Sequence, residues 1–221
     1  MAWRCSALIE NLANASILKN PRVISAMKKV DRKDFCPRDP YEDSPQTIGY
    51  AATISAPHMH GYALDQLEPF LQPGMKGSGS GYLCACMAEM VGPTGKVIGI
   101  EHIPELVTSS TRNLNKNYRD QMESKQIEII EGDGREGYEK EAPYDCIHVG
   151  AAAPTTPEAL IQQLKSPGRK YIRLFVPVGT DSQHIVLYDK DEHGNVSEKK
   201  WLGVMYIPLT DAKKQRRSIY E

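Results

Sequence analysis

The run Gly77-Ser78-Gly79-Ser80-Gly81, the apolar stretch Tyr82 to Val91 behind it, the segment Gly95 to Ile100 and then Glu101-His102 constrain this chain more than any other feature. Glycines at alternate positions allow a tight turn and a close approach of Gly77 and Gly79 to a ligand, and a following helix offers unpaired N–H groups to it. Glu101 stands 20 residues after Gly81, near the spacing at which a carboxylate in a nucleotide-binding β-α-β unit accepts hydrogen bonds from ribose hydroxyls. A flexible glycine-serine turn without any ligand is the competing reading.

Periodicity around that run alternates. Helix Tyr82–Val91, strand Lys96–Ile100, helix Pro104–Asn117, strand Gln126–Glu131, strand Tyr144–Val149 and helix Pro157–Leu164 follow in the order expected of a parallel sheet wrapped by helices. Late strands are predicted at Lys170–Val178, His184–Asp189 and Trp201–Pro208. The polar turn Asp191 to Asn195 between the last two predicts an antiparallel end to the sheet. Ahead of the glycine run, Ser6–Leu12 and Pro21–Val30 read as helices, the second capped by Asn20 with Pro21 in the first turn. Pro37, Pro40, Pro45 and Pro57 punctuate Asp31 to His60, a stretch too long for an idle connection. Helical spacing returns from His58 to Leu71, before Pro73-Gly74. The fold class is therefore α/β, a doubly wound, mostly parallel Rossmann-like sheet with an antiparallel end, in one domain over 1–221.

With 27 basic and 28 acidic residues and a net charge of −1, no overall field favours nucleic acid or an anionic membrane, and neither is expected as a partner. No run approaches the roughly 18 apolar residues of a membrane span. The five cysteines, Cys5, Cys36, Cys84, Cys86 and Cys146, form no CxxC pair and have no histidine at zinc spacing. They read as free thiols in a cytosolic (cytoplasmic) protein, and no metal is expected. Cys84 and Cys86 read as packing residues. The basic run Lys213 to Arg217 reads as solvated surface.

Several collinear segments together resemble one family: the protein-L-isoaspartate (D-aspartate) O-methyltransferases, which use S-adenosyl-L-methionine and release S-adenosyl-L-homocysteine. The segments are Met1-Ala2-Trp3, Asp43 to Gly49, Ala52 to His60, Gly77 to Tyr82, Val97 to His102, Glu131 to Arg135, Ala142 to Asp145, Ile147 to Pro154 and Val204 to Asp211. The block Ile54 to His60 is the discriminating one. The resemblance implies that Ala52, Thr53, Ile54, Ser55 and His60 border the cofactor and substrate pocket, with Ser55 as the active-site serine and Ala56 beside it on the substrate side. It implies cofactor contacts from Gly77, Gly79 and Ser80 in the turn, from Glu101 with His102, from Asp133 with Gly134, and from Thr210 and Gln215. It further implies that the last two sheet strands exchange order relative to most such methyltransferases, and that isoaspartyl-containing peptides and proteins are the partners. On this reading residues 1–60 supply helices and a substrate loop, and 61–221 the cofactor-binding sheet and a C-terminal substrate segment. A monomer is expected.

The implied reaction moves a methyl group to a carboxylate that is already ionised at pH 7, so no general base is needed and no catalytic triad is visible. Placement of one carboxylate oxygen in line with the methyl carbon carries the rate. Ser55 is a candidate positioner through a hydrogen bond, or else a cap for the helix beginning near His58. His60 is a ligand contact or a structural histidine, and Asp133 an acceptor for adenine or the head of an Asx turn. Other readings are a methyltransferase acting on RNA or a small molecule, a non-catalytic binding protein and a nicotinamide dehydrogenase. The chain departs from the family in one serious respect. Members place an apolar strand of the form Leu-Asp-Val before the glycine turn, whereas here only Met75-Lys76 separate Pro73-Gly74 from Gly77. The central first strand is truncated, and the sequence predicts its rebuilding from Leu71–Lys76 at the expense of the preceding helix. The stretch between Arg4 and Ala7 is short for the family, and Ser166 to Arg173 replaces a compact glycine turn with a longer, more basic one.

Overall fold

The computed structural model describes residues 2–72, 76–78, 81–166 and 172–217. Two helices, α1 (Ala2–Asn14) and α2 (Pro21–Lys29), open the chain. Asn20 caps α2 as expected, its side-chain oxygen accepting from the Arg22 N–H at 2.8 Å with Pro21 in the first turn. The proline-punctuated stretch is not all loop. It contains a hairpin, β1 (Gln46–Gly49) and β2 (Ala52–Ile54), turned by Gly49, Tyr50 and Ala51 at positive φ. Helix α3 (Pro57–Leu67) follows, extended by a 3-10 turn over Glu68–Phe70.

Next come strand β3 (Lys76–Ser78), helix α4 (Gly81–Val91), strand β4 (Lys96–Glu101), helices α5 (Pro104–Leu114) and α6 (Arg119–Glu123), and strand β5 (Ile127–Glu131). The chain then forms β6 (Cys146–His148), helix α7 (Glu158–Gln162), β7 (Ile172–Val178), β8 (Gln183–Lys190), β9 (Val196–Val204) and helix α8 (Ala212–Arg217). Every residue of α4 except Glu89 is buried. A helix apolar all round belongs inside, and Cys84 and Cys86 pack there as expected. Beneath it the N-terminal helices and α3 share one core around Leu64, Leu67, Leu83 and Met87, while Tyr144, Leu160, Leu174 and Val176 form a second.

The truncated strand leaves its mark on the sheet. β3 pairs in parallel with β4, Lys76, Gly77 and Ser78 lying opposite Lys96, Val97 and Ile98, and β4 pairs in parallel with β5. β6 to β9 form a separate four-stranded ladder, parallel between β6 and β7 and antiparallel thereafter. The last strands follow chain order, the exchanged arrangement implied by the resemblance. Among the described residues no ladder joins β3 to β6, although the two are neighbours in space. This corrects the expectation for Gly77. It is a strand residue, not part of the turn, because β4 needs partners and only Met75-Lys76 precede the glycines, so the register takes Gly77 and Ser78. Helix α3 and its 3-10 extension still run to Phe70, and residues 73–75 of the predicted Leu71–Lys76 strand lie outside the described residues. Gly79 and Ser80 lie outside the described residues.

The other difference is at the C-terminal end. The last strand runs over Val196–Val204 rather than Trp201–Pro208. Asp191 closes the hairpin tightly, its carboxylate accepting from the N–H groups of His193 and Asn195 at 2.9 and 2.8 Å, so the return strand starts at once. Its first half is exposed, which removes the apolar alternation that would have announced it. No helix among the described residues is long and apolar enough to cross a membrane.

Candidate active site

In an open α/β sheet, ligands gather at the carboxyl ends of the strands where chain direction divides, here between β3 and β6. A cavity of about 480 Å³ lies at that end, within the ordinary range for a small-molecule site. Its wall includes Ala52, Thr53, Ile54, Ser55, His60, Glu101, His102, Gly134, Thr210 and Gln215. Residues far apart in sequence, chosen for cofactor and for substrate, therefore open onto one shared space.

Each reaches it for a local reason. Glu101 ends β4, and its Oε1 accepts from the Ile103 N–H at 2.8 Å. That bond restrains the carboxylate at the start of α5 and leaves Oε2 to accept from a ligand. Gly81 opens α4 where a Cβ would come within 3.3 Å of Ser110 on α5; glycine lets the two helices close at the rim. The β1–β2 hairpin lays Ala52 against Ile103, the residue before α5, and Leu106 of α5, which carries Thr53 to Ser55 to the wall.

Ser55 does not cap the following helix. The cap position of α3 is Ala56, which makes no side-chain cap bond, and Asp43 instead accepts from the His58 N–H at 2.9 Å. The capping alternative for Ser55 is thereby removed. Its hydroxyl lies beside the phenol of Tyr206, whose ionisation burial pushes up, so the phenol stays a neutral partner. Ala56 is buried at the head of α3 and does not line the cavity.

Asp133 forms the Asx turn, Oδ1 accepting from the Arg135 N–H at 2.9 Å. The Arg135 guanidinium grips both carboxylate oxygens, with Nε at 2.9 and 3.0 Å and Nη2 at 2.5 Å, and this pairing holds the acid below the usual carboxylate range. Asp133 is absent from the cavity wall while its neighbour Gly134 is in it. Gln215 donates from Nε2 to the Tyr50 carbonyl at 2.8 Å, and its Oε1 lies 2.7 Å from His102 Nε2. Arg216, from a run read as solvated surface, pairs with Glu105 and lies over the Tyr50 ring. α8 is thus tied across the hairpin and the start of α5.

Sequence reasoning passed over two groups. His148, at the end of β6, lines the cavity, stacks on Phe175 at 5.4 Å and has a buried Nδ1 without a hydrogen-bond partner among the described residues. Burial pushes its pKa down to about 4. Arg32 is 1% exposed and sits behind His60. A histidine ending a buried strand was a signal for the first; nothing marked the second.

The model of the family described as protein-L-isoaspartate(D-aspartate) O-methyltransferase matches residues 3–214. The chain belongs to that family. A Caenorhabditis elegans protein-L-isoaspartate O-methyltransferase is 48% identical over 225 residues, covering 97% of this chain and 98% of the relative. Protein-L-isoaspartate O-methyltransferase 1 of Arabidopsis thaliana is 48% identical over 218 residues, covering 96% and 93%. Among solved structures, a protein-L-isoaspartate O-methyltransferase of Plasmodium falciparum in complex with S-adenosyl-L-homocysteine superposes with a TM-score of 0.83 at 31% identity, covering 93% of this chain and 98% of that one. The fold of this isoaspartyl methyltransferase family member is that of S-adenosylmethionine-dependent methyltransferases, with the sheet interrupted between β3 and β6.

Proposed function

We propose that this chain transfers a methyl group from S-adenosyl-L-methionine to the free carboxyl of L-isoaspartyl and D-aspartyl residues in damaged proteins, beginning repair through a succinimide. The observation that carries the reading is the shared cavity, with Ser55 and His60 on one part of its wall and Glu101 and His102 on another. The cavity volume and the donor set fit the cofactor: a carboxylate for ribose hydroxyls, and a backbone approach at Gly134. When bound, the cofactor supplies an electrophilic methyl group on a sulfonium.

This chain's residues do the rest by placement. Ala52, Thr53, Glu101, His102, Gly134, Thr210 and Gln215 hold the cofactor. Asp133 joins them only by sharing its carboxylate with, or giving up, Arg135. Ser55 donates to the peptide carboxylate, Ile54 and His60 close the space around it, and the substrate needs no base because its carboxyl is ionised at neutral pH. We place all of this in one domain, with residues 1–60 and the C-terminal segment forming the peptide walls. The protein acts as a cytosolic monomer without nucleic acid, membrane or metal partners.

The test is methyl transfer to an isoaspartyl peptide against its aspartyl twin. Transfer to the first alone supports the reading, and transfer to both removes it. A second reading, a family member that binds without transferring, is favoured by the interrupted sheet. It predicts calorimetric binding of S-adenosyl-L-homocysteine with no transfer to either peptide.

A further inference from the structure

Arg32 is a buried cation with no carboxylate partner among the described residues. Its Nη1 lies 3.3 Å from His60 Nδ1, its Nε and Nη2 find no hydrogen-bond acceptor among the described residues, and its guanidinium stands over the Tyr82 ring at 5.7 Å. Buried charges ordinarily occur with an opposite charge. Asp43, the acid whose charge reaches Arg32, is occupied by the His58 N–H and ring instead. Burying an unpaired guanidinium costs solvation that its contacts with His60 and Tyr82 must offset.

What it does do is fix a neighbour. A guanidinium has N–H donors and no acceptor, so the imidazole Nδ1 facing it must be the unprotonated, accepting nitrogen. The proton of a neutral ring is then on Nε2, on the side of the imidazole away from Arg32. His60 lines the cavity, and Arg32 does not. We infer that Arg32 is a positioning residue for methyl transfer: it locks His60 as the Nε2–H tautomer, so that the cavity wall offers a fixed N–H donor to the peptide carboxylate opposite Ser55. This rests on the methyl-transfer reading for its consequence but not for its geometry.

Two further features agree. The other groups acting on His60 are the imidazoles of His148 and His58 and the Tyr82 ring at 4.9 Å, none of them a carboxylate that would hold a proton on Nδ1. Burial, and then the Arg32 charge, push the His60 pKa well below its ordinary value, so the ring stays neutral through the physiological range. A cation on Nδ1 also polarises the ring and strengthens the Nε2–H as a donor.

Nitrogen-15 spectra of the imidazole groups in the full chain test this, the His60 signal being assigned by its loss in His60→Gln. In the parent protein His60 should show an unprotonated Nδ1 and a protonated Nε2. Arg32→Lys, which can also only donate, should keep that pattern and most of the transfer rate. Arg32→Gln, which can donate or accept, should give mixed tautomers and lower kcat/KM for an isoaspartyl peptide about tenfold or more, with S-adenosyl-L-homocysteine affinity unchanged. Identical His60 spectra in all three proteins overturn the proposal, as does equal loss of transfer in the Lys and Gln variants. Should the parent chain transfer no methyl at all, the spectra still decide the tautomer lock, and only the functional reading fails.

Discussion

His148 should tie stability to pH, and the size of the effect follows from its surroundings. The ring is 7% exposed, stacked on Phe175, and has no partner at Nδ1 among the described residues, so the folded protein resists protonating it until pH reaches about 4. In the unfolded chain the same imidazole takes a proton near 6.5. Between those values the unfolded state binds more protons, so stability is whole above pH 6.5 and drains away as pH falls toward 4. At about 1.4 kcal/mol per pH unit the loss is about 2 kcal/mol by pH 5 and about 3 kcal/mol by pH 4. His148→Phe keeps the stack, removes the unpartnered nitrogen and cannot titrate. Urea unfolding followed by circular dichroism at pH 7, 5 and 4 should show the two proteins diverging by those amounts. The carboxylates titrate in both and cancel in the difference, and His60, whose pKa His148 also pushes down, adds only a lesser contribution of its own. Parallel pH profiles would refute the reasoning, showing that the imidazole is solvated or partnered in the folded protein.

Other consequences can be measured separately. Glu101→Ala should weaken S-adenosyl-L-homocysteine binding by about 1–3 kcal/mol, the scale of a lost hydrogen bond to a charged group, and unchanged calorimetric affinity would contradict its placement on the ribose. Gln215→Ala removes the tie from α8 to Tyr50 and His102 and should raise KM several-fold for peptide or cofactor, with little change in melting temperature. Insertion of Leu-Asp-Val between Lys76 and Gly77 should return Gly77 to the turn and supply two buried apolar side chains, raising stability by about 3–6 kcal/mol and tightening cofactor binding. A melting temperature that falls on insertion would show that the interrupted sheet is the preferred arrangement.

Much of the architecture was legible because α4 and the parallel strands carry strong apolar patterns. The β1–β2 hairpin was hidden: strands of four and three residues with one face half-exposed leave too little alternation to see. The exposed charged start of β9 was hidden for the same reason. Glu101 was legible through its spacing from the glycines. The capping alternative for Ser55 stayed open in the sequence because the acceptor for the His58 N–H, Asp43, comes from fifteen residues before it. Arg32 could not be found from the sequence, since an arginine in a polar, lysine-rich stretch gives no sign that folding will bury it against His60.

A structure of the chain with S-adenosyl-L-homocysteine and an isoaspartyl peptide bound together tests the shared cavity most directly. The ribose should sit on Glu101 and the peptide carboxylate beside Ser55, with one oxygen facing the cofactor sulfur. A carboxylate bound away from Ser55, or a cofactor seated anywhere other than at Glu101, would contradict it.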